Sequence, residues 1–444
     1  MSNQNKIKAS PTKEFFIHML TKDIKLERAI IDLIDNSVDG AKRINQNSFE
    51  KLFVEIELND DSFVIKDNCG GFDLETAIKY AFRFGRPDDK EYKLTDNSVG
   101  RFGIGMKRAL FKLGNKFEIE TKTENDHFEV KVDTKKWLEN PEDWTFNYEE
   151  LNEAKDLTGK GTYIRVTELN EDVGNEFNST SFISSLKDEI ENALNFSLEK
   201  GLNIKLNGVS LDKSGLNILI GEELKPFFKE LEFKNGELVT AKIFAGLGEP
   251  SPDQGGWYIY CNDRLVLSSD KTNLTGWEGR RFGESTVRKY HNYFAMFRGV
   301  VFFDSKDSKK LPMTTTKTGV DSNSIIYQVT KQYMIESMIQ IISYLNDVAT
   351  KIEEPDLYRE ELVEKSDEIG VISLKMMRFD ENFIYPKIEQ VDSDESEETT
   401  ISYRRSSELV KKVKKNLQIS TNKDVGLRTF DYFIEMEGIE NPNE

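Results

Sequence analysis

The segment IDLIDNSVDG, residues 31–40, constrains the fold of this chain more than any other. It lies in a helical pattern over residues 25–44 whose apolar residues recur on most sides, which predicts a helix buried inside a domain. Asp32, Asn36 and Asp39 nevertheless fall on one face of that helix. A buried polar face needs a partner, and two carboxylates with an amide suit Mg²⁺, which prefers oxygen ligands. For these three residues alone, an exposed helix face without a ligand is the alternative.

A second polar position follows the strand pattern SFVIKD, where Asp67 ends an apolar run and glycines follow at 70 and 71. Glycine lets another group approach the backbone closely. A carboxylate beside such backbone is suited to accept a hydrogen bond from the exocyclic amine of a purine. A bond to a charged acceptor contributes roughly 1.5–3 kcal/mol, enough to discriminate adenine from guanine about tenfold. A simple turn with no ligand is the alternative.

A third segment, SVGRFGIGMKRALFKLG at 98–114, is a glycine-rich loop that enters a helix. Free amides at a helix N-terminus, the helix dipole and a lysine form a cradle that suits phosphate. The register differs from a Walker loop, because Arg108 stands where a Ser or Thr should bind magnesium. The glycine order also differs from a Rossmann fingerprint. A loop without a ligand is again the alternative. The residues predicted to form the cradle are Gly100, Arg101, Phe102, Gly103, Ile104, Gly105, Met106 and Lys107.

In this order, and followed by GKGTYIRVTEL at 159–169, the segments resemble the GHKL ATPase superfamily. That superfamily includes DNA gyrase B, the ninety-kilodalton heat-shock chaperones, sensor histidine kinases and MutL. The resemblance implies a Bergerat-type ATP-binding domain, an α+β two-layer sandwich, with ATP and Mg²⁺ as cofactors. The alternation of helical and strand patterns up to about residue 170 independently predicts an α/β domain.

The resemblance also implies roles for single residues. Asp32 would be the base that activates water, although most relatives carry glutamate there, so the shorter aspartate predicts a slow ATPase. Cys69 replaces a usual glycine, and its small side chain is expected to fit. The nucleotide-binding roles are Asn36 for Mg²⁺, Asp67 for the adenine amine, Gly71 against the base, and Asp39 and Thr162 within the same pocket.

Beyond the nucleotide segments, strand patterns at 240–247, 257–267 and 298–304 and a closing helix predict a second α/β unit. The strand WYIYCNDRLVL resembles one in the transducer domain of MutL, and LPMTTTKTGVD at 311–321 resembles the transducer loop whose lysine reaches the γ-phosphate. Lys317 is that lysine, and it joins Asp32 as a catalytic candidate. The likeness is greatest to bacterial proteins of the MORC and MutL branches. It implies two chains that close as a dimer through an N-terminal arm, residues 11–24.

We therefore expect four segments: a tail at 1–13, an ATP-binding domain at 14–170, a transducer-like domain at 171–350, and a small, mostly helical region of unknown role at 351–444. The last contains an acidic linker at 389–400, which is too polar to pack. Two cysteines cannot form a disulfide framework, and three scattered histidines offer no zinc spacing. The chain has no apolar run long enough for a membrane span and no signal-peptide pattern, which predicts a cytoplasmic protein.

The predicted function is an ATP-dependent molecular clamp, closed as a homodimer by Mg-ATP, that acts in a DNA-related process or in defence against foreign DNA. The net charge of −18 opposes non-specific attraction to nucleic acid, so DNA is a possible partner that the charge does not support. A separate effector or client protein is also expected. The alternatives are a chaperone-like ATPase acting on protein clients, and a nucleotide-gated interaction protein with little hydrolysis.

Overall fold

Two β-sheets organise the larger part of the chain. The computed structural model describes residues 11–84, 104–153, 155–213, 215–234, 236–277, 281–282, 285–286, 289–352, 354–388, 405–419 and 421–437. The chain forms two compact units, Met1–Ile388 and Glu389–Glu444. Both sheets belong to the first unit.

The first sheet has eight strands in the order β5-β4-β3-β6-β2-β1-β7-β8. Neighbouring strands are antiparallel, except that β1 and β7 run parallel. The strands are β1 Phe53–Leu58, β2 Ser62–Asp67, β3 Gly114–Lys122, β4 His127–Asp133, β5 Tyr148–Glu150, β6 Gly161–Leu169, β7 Asn203–Leu206 and β8 Val209–Ser210. The hydrophobic core of this sheet includes residues from Ile24 to Leu211.

Helices accompany this sheet. They are α1 Lys13–Lys22, α2 Leu26–Ile44, α3 Leu74–Thr76 with the π-helical turn Ala77–Ala81, α4 Gly105–Leu113, α5 Thr134–Glu139, α6 Glu171–Phe177, α7 Thr180–Ala193 and α8 Asn195–Glu199. The predicted helix over residues 25–44 is confirmed as α2. Apolar side chains of α2 enter the core of the sheet, and Asp35 of α2 contacts Arg264 and Lys317 from the part of the chain that carries the second sheet. The helix is therefore buried on most sides.

The second sheet has five strands in the order β10-β11-β16-β12-β13, with β12 and β16 parallel. Helix α9, Ile325–Lys351, covers one face, where Met334, Met338 and Ile341 are fully buried, as their helical spacing predicts. The part of the chain from β9 to α11 is called the second domain below. Its strands are β9 Asn217–Ile220, β10 Phe227–Phe233, β11 Val239–Leu247, β12 Gly256–Cys261, β13 Arg264–Asp270, β14 Arg281–Phe282, β15 Ser285–Thr286, β16 Phe297–Ser305 and β17 Asp367–Gly370. Of these, β9 pairs with β17 and β14 pairs with β15 outside the five-stranded sheet. The helices of the second domain are α9 Ile325–Lys351, α10 Pro355–Glu364 and α11 Val371–Met376.

The second unit contains two helices that pack on each other, α12 Ser407–Leu417 and α13 Asn422–Glu437. The predicted acidic linker at 389–400 lies outside the described residues. The predicted α/β fold class is confirmed by the mixed sheets and the helices packed on them. Among the described helices, none combines the length and the apolar character that a bilayer span requires.

Candidate active site

The first two predicted segments meet where α2 crosses the end of β2. A side chain on Gly40 would place its Cβ 2.5 Å from the carbonyl oxygen of Cys69, so only glycine allows the helix to lie this close to the turn. Ser37 on the same helix donates a hydrogen bond of 2.7 Å to Oδ2 of Asp67. The helix and the carboxylate are thereby fixed to each other.

Asp67 is buried and already accepts three hydrogen bonds. Oδ2 accepts from Ser37, and Oδ1 accepts from the amides of Cys69 at 2.8 Å and Thr162 at 3.3 Å. Thr162 reaches this place because it pairs with Asp67 across β2 and β6. Burial raises the pKa of Asp67, while these donors and Arg43 oppose the rise. A carboxylate has about four acceptor positions, so one remains for a further donor.

The glycines beside Asp67 are needed by the packing of the turn. Gly71 has φ 64°, and its Cβ would lie 2.5 Å from the carbonyl oxygen of Lys122. The Cβ of Gly161 would lie 2.0 Å from the carbonyl oxygen of Asp67. Cys69 fits because its side chain is buried and the positive φ values fall on Gly70 and Gly71.

The third predicted segment is described only from Ile104 onward. Gly100, Arg101, Phe102 and Gly103 lie outside the described residues. Gly105 opens α4, and the preceding Ile104 makes no side-chain cap to the first-turn amides. Such amides suit an anion. Met106 is partly buried against the core, and Lys107 is buried with its ammonium donating to the carbonyl oxygen of Ala81 at 2.6 Å.

The three polar residues of α2 differ in their surroundings. Asn36 is the one exposed residue between Ala29 and Lys42, whereas Asp32 and Asp39 are buried. The described residues contain no group of three His, Cys, Asp or Glu side chains able to hold a metal ion. Mg²⁺ bound to a nucleotide keeps most of its ligands from water and phosphate, so a single amide such as that of Asn36 fits this ion.

Asp32 lies beneath the first turn of α4 and contacts two cations. Arg108 Nη2 lies 2.5 Å from Oδ2, and Lys317 Nζ lies 3.2 Å from Oδ1. A Cβ on Gly105 would stand 3.4 Å from Oδ2, in ordinary contact. The structure thus places both Lys317 and Arg108 in contact with Asp32.

Asp35, which the spacing of the polar face leaves out, is the most buried carboxylate of α2. Lys317 Nζ lies 2.7 Å from Oδ2, and Arg264 Nε lies 3.2 Å from Oδ1. Burial alone would raise the pKa of Asp35, but Arg264 and Lys317 hold it below its usual value. Burial opposes the charge of Lys317, yet Asp35 and Asp32 raise its pKa. An aspartate inside a buried helical run was the available signal, because such a charge needs a partner.

Two segments of the second domain supply these contacts. Strands β12 and β13 are joined at Asn262 and Asp263, whose positive φ values of 49° and 69° suit a tight hairpin turn. Lys42 of α2 donates to the carbonyl oxygen of Asn262 at 2.8 Å, and Arg264 opens β13. The loop at 311–321 carries Lys317, which also has a positive φ of 56°.

Comparison with known proteins gives a family match for the N-terminal part of the chain. The curated proteins give no match to the chain. Residues 24–162 match the family model described as histidine kinase-, DNA gyrase B-, and HSP90-like ATPase. The matched stretch contains Asp32, Asn36, Asp67 and Thr162, and it ends before Lys317. The domain that carries these residues is therefore similar to the GHKL ATPases, and the match supports ATP binding and an ATPase-type function for it.

Proposed function

We propose that this protein is a molecular clamp of the GHKL type, in which Mg-ATP bound at α2 controls the second domain through Lys317. The observation that carries the proposal is the position of the Lys317 ammonium, 2.7 Å from Asp35 and 3.2 Å from Asp32. These carboxylates belong to the helix that carries the predicted nucleotide residues, and Lys317 belongs to a loop of the other domain. Any ligand that attracts Lys317 therefore acts on both domains.

The residues around α2 suit the parts of ATP. The remaining acceptor position of Asp67 suits the adenine amine, and the amide of Asn36 suits Mg²⁺, which would neutralise phosphate charge. The N-terminus of α4 suits the phosphates, because the preceding Ile104 provides no side-chain cap to its first-turn amides. Asp32 is the proposed base for the attacking water.

Lys317 gives this site a switch. In the structure its ammonium is paired with both Asp32 and Asp35. A γ-phosphate near Asp32 would compete for the ammonium of Lys317. Movement of the ammonium towards the phosphate would free Oδ1 of Asp32 to accept a proton from water. The loop at 311–321 would move with it, because Lys317 lies in that loop. ATP can drive this change only by binding the rearranged state more tightly.

The arm at the N-terminus supports dimer closure as part of the proposal. Within its own chain, Lys13 anchors α1 by donating to the carbonyl oxygens of Trp137 at 2.5 Å and Asn140 at 2.7 Å. Phe15 and Met19 lie one helical turn apart and are more than half exposed. This apolar pair would be covered when two copies close. We place the clamp in the cytoplasm, in DNA transactions or defence against foreign DNA, working with a separate effector.

The test compares Lys317→Met with Lys365→Met, a control in an exposed ion pair with Glu361. ATP turnover and the fraction of dimer with a non-hydrolysable ATP analogue are measured for both. Lys317→Met should lose turnover and nucleotide-induced dimerisation, and the control should keep them. If Lys317→Met keeps both, the coupling is overturned.

A salt series of duplex DNA binding, with and without the ATP analogue, separates the client classes. Nucleotide-dependent, salt-sensitive binding supports a DNA client, and no binding at any salt concentration favours a protein client.

A further inference from the structure

We infer that Arg108 is the positioning residue for Asp32: it holds Oδ2 and leaves Oδ1 as the oxygen that acts on water. The inference rests on the proposed ATPase function and concerns the same site. Arg108 Nη2 lies 2.5 Å from Oδ2, and both side chains are buried. Phosphate binding by the glycine-rich segment does not explain why Arg108 faces the carboxylate of Asp32.

The two carboxylate oxygens of Asp32 contact cations from two different domains. Oδ2 faces α4, where Arg108 lies one turn after Gly105 on the same face of the helix. Oδ1 faces Lys317 from the loop of the second domain. When Lys317 leaves, the contact with Arg108 persists, because α2 and α4 share one core. Asp32 therefore keeps its orientation while one oxygen becomes free.

A purely structural brace does not account for this choice of residues. A buried ion pair loses hydration that its attraction only partly replaces, and an apolar pair of similar size holds two helices equally well or better. The pair here is also incompletely satisfied, since Arg108 Nε is buried and has no hydrogen-bond partner among the described residues. A need to hold the carboxylate of Asp32 in one orientation explains why the charged Arg108 lies beside it.

The experiment is a double-mutant cycle on the full chain with Arg108→Met, Asp32→Asn and the combined variant, together with Arg108→Lys. The measurements are kcat, KM, the Kd of a non-hydrolysable ATP analogue, and Tm. Arg108→Met should lower kcat on the order of tenfold to a hundredfold, the effect of a misplaced catalytic group. The Kd should stay within about twofold, and Arg108→Lys should recover part of kcat. Arg378→Met, on an exposed arginine paired with Glu230, is the matched control and should keep wild-type kcat.

The cycle separates positioning from general support of the fold. If Arg108 acts through Asp32, Arg108→Met causes no further loss of kcat in the Asp32→Asn background. The combined variant removes both buried charges, so it is expected to fold even if Arg108→Met alone has a lowered Tm. Wild-type kcat in Arg108→Met, equal losses in both backgrounds, or a weakened Kd that matches the loss of kcat would each overturn the inference and leave the proposed ATPase intact. Wild-type turnover in Asp32→Asn would overturn the role of Asp32 and the inference with it.

Discussion

Replacing Asp35 by asparagine is expected to destabilise the fold strongly, although the two side chains have nearly the same shape. Asp35 is 1% exposed and lies within ion-pair distance of Lys317 and Arg264. Removal of one partner from a buried ion pair costs about 3–5 kcal/mol, because the other charge stays buried without compensation. Lys317 keeps its second carboxylate, Asp32, at 3.2 Å, which places the expected loss near the lower limit, about 3 kcal/mol.

The pKa shifts of Asp35 and Lys317 determine how the stability of the fold depends on pH. The pKa of Asp35 is lowered in the folded state, so its stabilisation is present above the unfolded value of about 4 and is lost as pH falls through the folded value. The pKa of Lys317 is raised, so its stabilisation is present below about 10.4 and is lost as pH rises through the folded value. The stability difference between wild type and Asp35→Asn should thus be constant from about pH 5 to 10 and shrink in acid.

Denaturant unfolding across this pH range measures the difference, with Asp356→Asn as control. Asp356 pairs with Arg359 but is 94% exposed on its side chain, so its loss should change stability by less than about 1 kcal/mol. The combined variant Asp35→Asn with Lys317→Met should be more stable than Asp35→Asn alone, because it removes one of the two buried cations that Asp35 balances. Equal stability of wild type and Asp35→Asn at pH 7 would refute the view that these ion pairs hold the domains together.

Three further predictions concern the nucleotide side of the site. Gly40→Ala should lower the stability by roughly 1–3 kcal/mol although alanine has the better helix propensity, because its Cβ would meet the carbonyl of Cys69. The control Gly426→Ala, with open space at its Cβ, should raise the helix content. Unfolding curves that show no loss of stability for Gly40→Ala would contradict the clash. Asp67→Ala should weaken ATP binding about tenfold or more and leave GTP binding unchanged in competition titrations; equal losses for both nucleotides would argue against adenine recognition. Burial raises the pKa of the Cys69 thiol, so thiol reagents at pH 8 should label it only after denaturant is added, and rapid labelling of the native protein would show that the turn opens.

Local patterns predicted the elements of the site well. The buried helix over residues 25–44 and the carboxylate at the end of β2 follow from periodicity and from the order of short motifs. The resemblance predicts that Lys317 reaches the γ-phosphate, and no local pattern joins Lys317 to residues as distant in sequence as Asp32. Periodicity tells which positions on a helix are apolar or polar, but it does not tell what covers each side.

The features that sequence reasoning missed depend on that covering. Asp35 lies outside the polar face formed by Asp32, Asn36 and Asp39, and its partners Arg264 and Lys317 come from segments far away in sequence. For Arg108, the sequence indicates only that the segment departs from the Walker-loop pattern, which has Ser or Thr at this position. The pairing of β7 with β1 joins strands far apart in the chain, and no local pattern indicates it.

The arrangement of charges also explains how Lys317 could leave a buried site at moderate cost. Each of its carboxylates has a second cation, Arg264 for Asp35 and Arg108 for Asp32, so neither stays uncompensated when the ammonium departs. The cost of release is then less than the 3–5 kcal/mol of an isolated buried pair. To invert a population from 1:99 to 99:1, a ligand must prefer one state by about 5.5 kcal/mol. Because each carboxylate keeps a second cation, less of that preference is needed to offset the loss of the Lys317 ion pairs. In the proposed mechanism, the contact between Lys317 and the γ-phosphate then sets the position of the switch.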